Sequence, residues 1–264
     1  MNAALENVAA AVADSAPAFD AKAYDEEASR AHALEHCNRK FAALKADQRI
    51  EWALENLPGR HVLTSSFGAQ AAVSLHLATR VCADVPVILV DTGYLFPETY
   101  RFADALRERL SLNLHVVRPQ MDAAWMEARL GRLWEQGAEG LARYNQQRKV
   151  EPMQRALRDL DVRTWIAGLR RVQSRSRAGV EFLELHDGRW KFHPIADWTD
   201  RDVGHYLARH DLPYHPLWEQ GFVSIGDTHS TRRLEPGMHE EDTRFFGIRR
   251  ECGLHEAWET GAAA

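Results

Sequence analysis

The amino-acid sequence predicts an α/β protein in which helices cover both faces of a mainly parallel β-sheet. Short apolar segments alternate along the chain with longer segments in which apolar residues recur every three or four positions. The segment 85–90 is apolar throughout, which is typical of a strand that is buried on both faces. The length of 264 residues, with 45% hydrophobic and 27% charged residues, is that of a globular chain with one large domain or two small ones.

The first elements are a long helix and then an alternation of strands and helices. Apolar periodicity predicts a helix over 24–57, and Leu57-Pro58-Gly59 ends it. The predicted strands lie at 61–65, 85–90, 112–117 and 165–167. The predicted helices between them lie at 69–81 and 97–110, with a helical stretch around 121–160. Pro97 favours the first turn of its helix.

The last part of the chain changes character. Residues 181–193 resemble a hairpin with Asp187-Gly188 as its turn, and Thr199 is a suitable cap for a following helix. Beyond about residue 212, prolines and glycines interrupt the periodicity. A long irregular segment of this kind is often functional.

Composition excludes several classes of protein. The net charge of −5 argues against a protein that coats nucleic acid. No apolar run approaches the roughly 20 residues of a membrane-spanning helix. The first basic residue is Lys22, so no secretory signal is recognised and a cytoplasmic protein is expected. The three cysteines are far apart and the histidines are scattered, which disfavours a disulfide framework, an iron–sulfur cluster and a metal site.

A loop of small and polar residues follows the first predicted strand. It runs Thr64-Ser65-Ser66-Phe67-Gly68-Ala69-Gln70 and leads into a helix. Backbone N–H groups at such a helix N-terminus can bind an anion. No Gly-Lys-Ser/Thr follows, so this is not a Walker loop. A simple strand-to-helix turn capped by serines is the alternative.

Arginines are concentrated after the strand at 165–167. The run contains Arg163, Arg170, Arg171, Arg175 and Arg177, with no acidic residue between Asp161 and Glu181. The planar guanidinium suits phosphate and sulfate. Because Gly168 follows an apolar strand, the next arginines are expected at the carboxyl end of the sheet, where ligands bind. A solvated basic loop is the alternative.

The C-terminal tail holds a cysteine in basic surroundings. Residues 249–255 read R-R-E-C-G-L-H, so Cys252 lies beside two arginines and His255. Neighbouring cations lower the pKa of a thiol, and the thiolate is the reactive form. An incidental surface thiol is the alternative. Cys82 is predicted to be a buried small hydrophobe, and Cys37 has no assigned role.

Four segments occur in this order along the chain: the loop 65–70, D-T-G-Y-L-F-P-E-T at 91–99, G-L-R-R at 168–171 and E-C-G-L-H at 251–255. Together they resemble the phosphoadenylyl-sulfate (PAPS) reductases of sulfate assimilation. The resemblance extends over about residues 45–256. It implies an adenine nucleotide alpha-hydrolase-like three-layer fold with a mobile C-terminal tail. Where related ATP pyrophosphatases have an acidic residue in the first loop, this chain has Gln70.

The resemblance also implies roles for individual residues. Cys252 is the expected nucleophile, forming an S-sulfocysteine intermediate in the reduction of PAPS to sulfite and adenosine 3′,5′-bisphosphate. The expected substrate-binding residues are Ser65, Ser66, Phe67, Gly68, Gln70, Asp91, Thr92, Gly93, Lys149, Arg170, Arg171, Gln173, Ser174, Arg177, Arg232, Arg244 and His255. Reduced thioredoxin, or glutaredoxin, is the expected electron donor, with no bound cofactor or metal. A homodimer is expected.

The resemblance separates two branches of the family. Members that use adenylyl sulfate (APS) carry a four-iron cluster on a Cys-Cys pair and a later C-x-x-C. The corresponding positions here are Tyr144, Asn145, Asp227 and Ser230. The chain therefore resembles the cluster-free branch that uses PAPS; an APS reductase and a non-catalytic PAPS-binding sensor are the alternatives. The expected division is an N-terminal arm (1–22), an α/β nucleotide-binding domain (23–211) and a C-terminal segment with the catalytic cysteine (212–264).

Overall fold

A six-stranded sheet forms the centre of the computed structural model, which describes residues 27–247 and 253–254. The strands are β1 (Arg60–Thr64), β2 (Pro86–Val90), β3 (Asn113–Val117), β4 (Val162–Ala167), β5 (Leu183–His186) and β6 (Arg189–Phe192). Their order is β3-β2-β1-β4-β6-β5, and every neighbouring pair is parallel except β5 with β6. The predicted α/β class, the mainly parallel sheet and the hairpin are confirmed.

Eight α-helices connect and cover these strands in the described part of the chain. They are α1 (Glu27–Ala43), α2 (Ala46–Asn56), α3 (Ala72–Val81), α4 (Pro97–Leu110), α5 (Ala123–Leu130), α6 (Gly137–Asn145), α7 (Glu151–Asp159) and α8 (Asp200–Arg209). Thr199 caps α8 by accepting a hydrogen bond from the Asp202 N–H, as the sequence predicted.

The single helix predicted over 24–57 is wrong, because the chain breaks between α1 and α2. Arg49 explains the break: its buried guanidinium donates to the carbonyl of Phe41 at 2.7 Å, near the end of α1. The same side chain pairs with Asp197 at 2.7 Å. Apolar periodicity carries no signal for the position of the Arg49 side chain, because its carboxylate partner, Asp197, lies 148 positions away in the sequence.

Two hydrophobic layers cover the two faces of the sheet. Alternate strand residues point in opposite directions. Leu63, Val87 and Ile166 face the larger layer, which includes α1 to α4 and α8, whereas Ile88 and Trp165 face the smaller layer under α7. Each such side chain contributes roughly 1.5–3 kcal/mol through burial. The result is the three-layer arrangement that the sequence predicted.

The cysteines depart from the sequence-based expectation. Cys37 is the buried one, at 1% exposure in α1, and burial raises the pKa of its thiol to about 11. Cys82 was predicted to be buried, but it is only half-buried and its thiol lies 3.4 Å from the Asp84 carboxylate. It follows the end of α3, where the chain turns towards β2 and solvent. Cys252 lies outside the described residues.

No helix in the described ranges is long and apolar enough to cross a membrane.

The strand order fixes where a ligand can bind. The chain builds β1, β2 and β3 towards one edge and then places β4 on the other side of β1. The loops after β1 and β4 therefore diverge and leave a crevice at the carboxyl ends of these strands. These are two of the loops that carry the sequence motifs.

Candidate active site

A cavity of about 520 Å³ opens at this crevice. Its size lies within the usual range for small-molecule sites. The walls come from the first loop (65–71), the loop after β4 that we call the arginine loop (168–177), the helical turn before α7, and the C-terminal segment around 218–245. The predicted site residues that line it are Ser65, Ser66, Gly68, Gln70, Thr92, Lys149, Arg170, Gln173, Arg177 and Arg244.

Phe67 fixes the conformation of the first loop from the side that faces the protein core. This residue has a positive φ of 49° and its ring is completely buried. Its N–H donates to the Ser65 hydroxyl at 3.1 Å, which closes a tight local turn. Positive φ in a large residue costs about 1–3 kcal/mol and persists only where the surroundings enforce it. Phe67 therefore shapes the loop, while its neighbours Ser66 and Gly68 face the cavity.

Arg170 is held in position at the carboxyl end of β4. Its guanidinium donates to Asp200 at 2.9 Å and to the Gln70 side chain at 2.6 Å. Gln173 braces the same loop, since its side-chain oxygen accepts from the Arg170 N–H at 3.1 Å and from Arg177 at 2.5 Å. Arg170 is 4% exposed. The arginine is thus oriented before any ligand arrives, which lowers the entropic cost of binding an anion.

Arg171 lies outside the cavity although it is adjacent in sequence. It donates to the Val180 carbonyl at 2.7 Å, pairs with Glu181 at 3.6 Å and stacks over the Phe182 ring. Arg170 has extended backbone angles, so successive side chains point to opposite sides. Ser174 is buried against Ser176 and also lies outside the cavity.

The D-T-G turn after β2 supports the wall of the cavity. Asp91 accepts hydrogen bonds from the Tyr100 hydroxyl at 2.6 Å and from Arg118 at 2.9 Å, and it also accepts from the Gly93 N–H. Gly93 has a φ of 81°, which glycine tolerates. Asp91 and Gly93 do not line the cavity; they fix the turn that presents Thr92 to it.

A π-helical turn over Gln146–Val150 directs Lys149 into the cavity. Such turns often occur at functional sites. The Lys149 ammonium lies 2.6 Å from the Asp227 carboxylate, and both side chains are buried. Burial opposes ionisation of Asp227, but the Lys149 cation and the Thr92 hydroxyl more than offset it and lower the pKa of Asp227 to about 2. The Asp227 carboxylate is therefore ionised at pH values from about 4 upwards.

Arg244 reaches the cavity from the C-terminal segment, whereas Arg232 does not. The Arg244 guanidinium lies over the Phe245 ring at 4.9 Å. Arg232 is exposed and donates to the Asp242 carbonyl at 3.0 Å. Arg175, in the arginine loop, donates its N–H to Glu241 at 2.7 Å, which ties this segment to the loop.

Gly226 leaves the space that the Arg244 guanidinium occupies. A Cβ at residue 226 would lie 2.6 Å from the Arg244 Cζ, and the φ of Gly226 is not positive, so alanine fits the backbone. We expect Gly226→Ala to displace Arg244 and to weaken about tenfold the binding of adenosine 3′,5′-bisphosphate, the product that the family resemblance implies, with a similar melting temperature. Isothermal titration calorimetry measures the affinity. Gly179→Ala is the control, because a Cβ there meets nothing. Equal affinities for the two variants would contradict the prediction.

An aromatic cluster lies next to the Lys149–Asp227 pair. The rings of Trp134 and His229 are stacked at 3.9 Å, and Tyr94 and Tyr144 meet the His229 ring edge-on. Burial lowers the pKa of His229 to about 4, so the ring is neutral at physiological pH. The four positions compared above with the ligands of an iron–sulfur cluster are all buried in this region: Tyr144, Asn145, Asp227 and Ser230. Residues 27–247 and 253–254 contain no group of three or more His, Cys, Asp or Glu that could hold a metal ion.

Three acidic residues line the cavity, and the sequence predicts a site role for none of them; two of the three, Asp200 and Asp227, pair with its cations. Asp200 occupies the first turn of α8, where an acid is a common helix-stabilising residue. Asp227 was noted only as a position without cysteine. Neither carries a local signal, because its role depends on Arg170 or Lys149 being brought to it by the fold. The expected residues Cys252 and His255 lie outside the described residues, but Leu254 lines the cavity.

The fold and the position of the cavity define the class of this protein: it is a three-layer α/β protein with a small-molecule cavity at the carboxyl ends of its parallel strands. FMN adenylyltransferase of Candida glabrata, in complex with FMN and an ATP analogue, shares the fold with a TM-score of 0.54 at 13% identity, covering 80% of this chain and 77% of that one. A nearer structural relative is PAPS reductase of Candida auris in a phosphate complex. Its TM-score is 0.67 at 28% identity, covering 75% of this chain and 96% of that one.

The family follows from sequence. The profile described as the phosphoadenosine phosphosulfate reductase domain matches residues 60–233. Phosphoadenosine 5′-phosphosulfate reductase of Alkalilimnicola ehrlichii is 65% identical over 223 residues, which cover 84% of this chain and 91% of that protein. The enzyme of the same name from Xanthomonas axonopodis pv. citri is 64% identical, with 84% and 92% covered. The chain belongs to the phosphoadenosine phosphosulfate reductase family, whose members are oxidoreductases acting on sulfur groups, and the resemblance noted in the sequence is confirmed.

Proposed function

We propose that this enzyme reduces PAPS to sulfite and adenosine 3′,5′-bisphosphate, with reduced thioredoxin as electron donor and an S-sulfocysteine intermediate on Cys252. The observation that carries the placement of PAPS is the convergence of four cationic side chains on one cavity: Lys149, Arg170, Arg177 and Arg244. PAPS carries about four negative charges, of which its 3′-phosphate supplies up to about two. An acidic protein of net charge −5 must concentrate cations locally to bind such an anion.

The first chemical step transfers the sulfonate group to the protein. The Cys252 thiolate attacks the sulfur of PAPS, a new S–S bond forms, and the S–O bond to the nucleotide breaks. Adenosine 3′,5′-bisphosphate leaves with the electron pair of that bond. The cationic side chains stabilise the charge on the leaving phosphate. A covalent intermediate divides one difficult reduction into two easier substitutions.

The second step uses an external dithiol. A thiolate of reduced thioredoxin attacks the Cys252 sulfur, sulfite leaves with the bonding electrons, and a mixed disulfide forms. The second thioredoxin thiol then displaces Cys252 as a thiolate. Sulfur(VI) becomes sulfur(IV), and the two electrons come from the dithiol, which ends as a disulfide. Glutaredoxin supplies the same chemistry and is the alternative donor.

Leu254 supports the assignment of the tail cysteine to this cavity. It lies two positions after Cys252 in the sequence, lines the cavity and packs near the layer under α7. A tail that carries the nucleophile must close over bound nucleotide and then open for the donor protein. We propose this movement for the segment that carries Cys252.

We also propose that the protein is a homodimer and that it acts in the cytoplasm. Sedimentation equilibrium measures the assembly state.

Sulfite release tests the proposal most directly. We expect the purified protein to release sulfite from PAPS when reduced thioredoxin is present, and to prefer PAPS to APS by at least about a hundredfold in kcat/KM. The reason is that arginines built for a 3′-phosphate remain desolvated and unpaired with APS. Comparable rates with both nucleotides would instead support an APS reductase. Tight PAPS binding without sulfite from either would support the sensor.

A further inference from the structure

Asp227 is a buried carboxylate in the cavity wall to which the proposed reaction assigns no role. It is 1% exposed. One carboxylate oxygen accepts a hydrogen bond from the Thr92 hydroxyl at 2.5 Å, and the other lies 2.6 Å from the Lys149 ammonium. An anion in a cavity that collects cations for an anionic substrate calls for an explanation, because it opposes binding of that substrate.

The surroundings of Lys149 provide the explanation. Its side chain is 7% exposed and its ammonium lies near the faces of Tyr144 and Phe245, at 5.4 and 4.8 Å from the ring centroids. An ammonium buried in this way loses hydration, and a buried cation without a partner of opposite charge carries a large desolvation cost. Asp227 supplies the opposite charge that offsets this cost.

Contacts of the backbone fix the two segments that carry Asp227 and Lys149. Asp227 forms an isolated β-bridge with Leu95, and the next residue, Thr228, donates its N–H to the Tyr94 carbonyl at 2.8 Å. On the other side, Arg148 donates to the Thr92 carbonyl at 3.0 Å and so fixes the π-helical turn that carries Lys149. The ion pair therefore joins three separate segments at one point of the cavity wall.

We propose that Asp227 is a positioning residue: it holds the Lys149 ammonium in the direction of the cavity, and it does so at the expense of nucleotide affinity in the ground state. The inference rests on the proposed placement of PAPS in this cavity. A residue that only supported the fold would have a different effect. Its loss would weaken binding and turnover together, whereas loss of a positioning anion leaves binding unchanged or tighter and lowers turnover.

Kinetics of two single variants and their combination test the proposal. We expect Asp227→Asn to lower kcat for PAPS at least about tenfold while KM changes less than about threefold or falls. Lys149→Met should lower kcat at least as much. Because Asp227 acts through Lys149, the double variant should be no slower than Lys149→Met, so the two effects are not multiplicative. Asp227→Glu, which restores the charge, should recover part of the lost turnover.

Matched controls separate this role from others. Glu235→Gln removes one negative charge from an exposed part of the same C-terminal segment and should behave as wild type. Circular dichroism tests whether Asp227→Asn alone folds. If it does not fold, the double variant replaces the ion pair by two neutral side chains, and the comparison of its kcat with that of Lys149→Met still shows whether Asp227 acts through Lys149. Full kcat in Asp227→Asn, a raised KM alone, or multiplicative losses would overturn the proposal.

Failure of the proposed function gives a distinguishable result. A wild-type protein that releases no sulfite from PAPS would refute the reaction itself. If the wild type is active and Lys149→Met is equally active, the reaction stands and the role of Asp227 is refuted. Titration of the same variants with adenosine 3′,5′-bisphosphate then shows whether the loss of the carboxylate tightens nucleotide binding, which is the expected direction.

Discussion

Cys252→Ser is expected to abolish sulfite production from PAPS while leaving the affinity for adenosine 3′,5′-bisphosphate within about threefold of wild type. The thiolate is a strong nucleophile at neutral pH, whereas the serine hydroxyl is almost entirely protonated and attacks sulfur poorly. In the proposed placement the nucleotide lies against the first loop and the arginine loop, which line the cavity and belong to other parts of the chain. Turnover and binding should therefore separate completely in this variant.

Mass spectrometry adds a direct measurement of the intermediate. Wild-type protein incubated with PAPS in the absence of thioredoxin should gain the mass of one SO₃ group on the tail peptide, and Cys252→Ser should not. Cys82→Ser is the matched control, because this thiol is half-buried beside Asp84 and lies outside the cavity. Appreciable sulfite production by Cys252→Ser, or labelling of Cys82, would contradict the assignment of the nucleophile.

Arg170→Ala is expected to lower kcat/KM for PAPS by about 10- to 150-fold, whereas Arg171→Ala should change it less than about threefold. A hydrogen bond to a charged group contributes about 1.5–3 kcal/mol, which corresponds to this range. Arg170 faces the cavity and is oriented by Asp200 and Gln70. Arg171 is engaged with Val180 and Glu181 on the opposite side.

The adjacent arginines form a matched pair for this experiment. Both substitutions remove one positive charge from the same loop, so a general loss of electrostatic attraction would affect them equally. Steady-state kinetics at two salt concentrations, with melting temperatures for each variant, separates local contact from long-range attraction. An equal loss in both variants would contradict the orientation of the loop.

The sequence by itself determined the class of the fold and the neighbourhood of the site. Strand segments such as 85–90 are recognisable because burial on both faces requires a continuous apolar run, and this requirement is local. The first loop and the arginine loop were also located correctly at the carboxyl ends of β1 and β4, since chain order and parallel strands bring such loops together. The roles of individual side chains in binding and catalysis stay predictions.

Only the tertiary structure decided which side chains share the cavity. The sequence could not separate Arg170 from Arg171, because the direction of each side chain depends on backbone angles in an irregular loop. It could not assign Asp227 either, since the carboxylate acquires its role from Lys149, 78 positions away along the chain. The break after α1 has the same origin, as Arg49 binds Asp197 across the molecule. Apolar residues recur at regular spacing along an element, so their pattern can be recognised in the sequence. Each of these polar contacts joins one pair of residues that are distant in the sequence, so it exists only after the chain has folded.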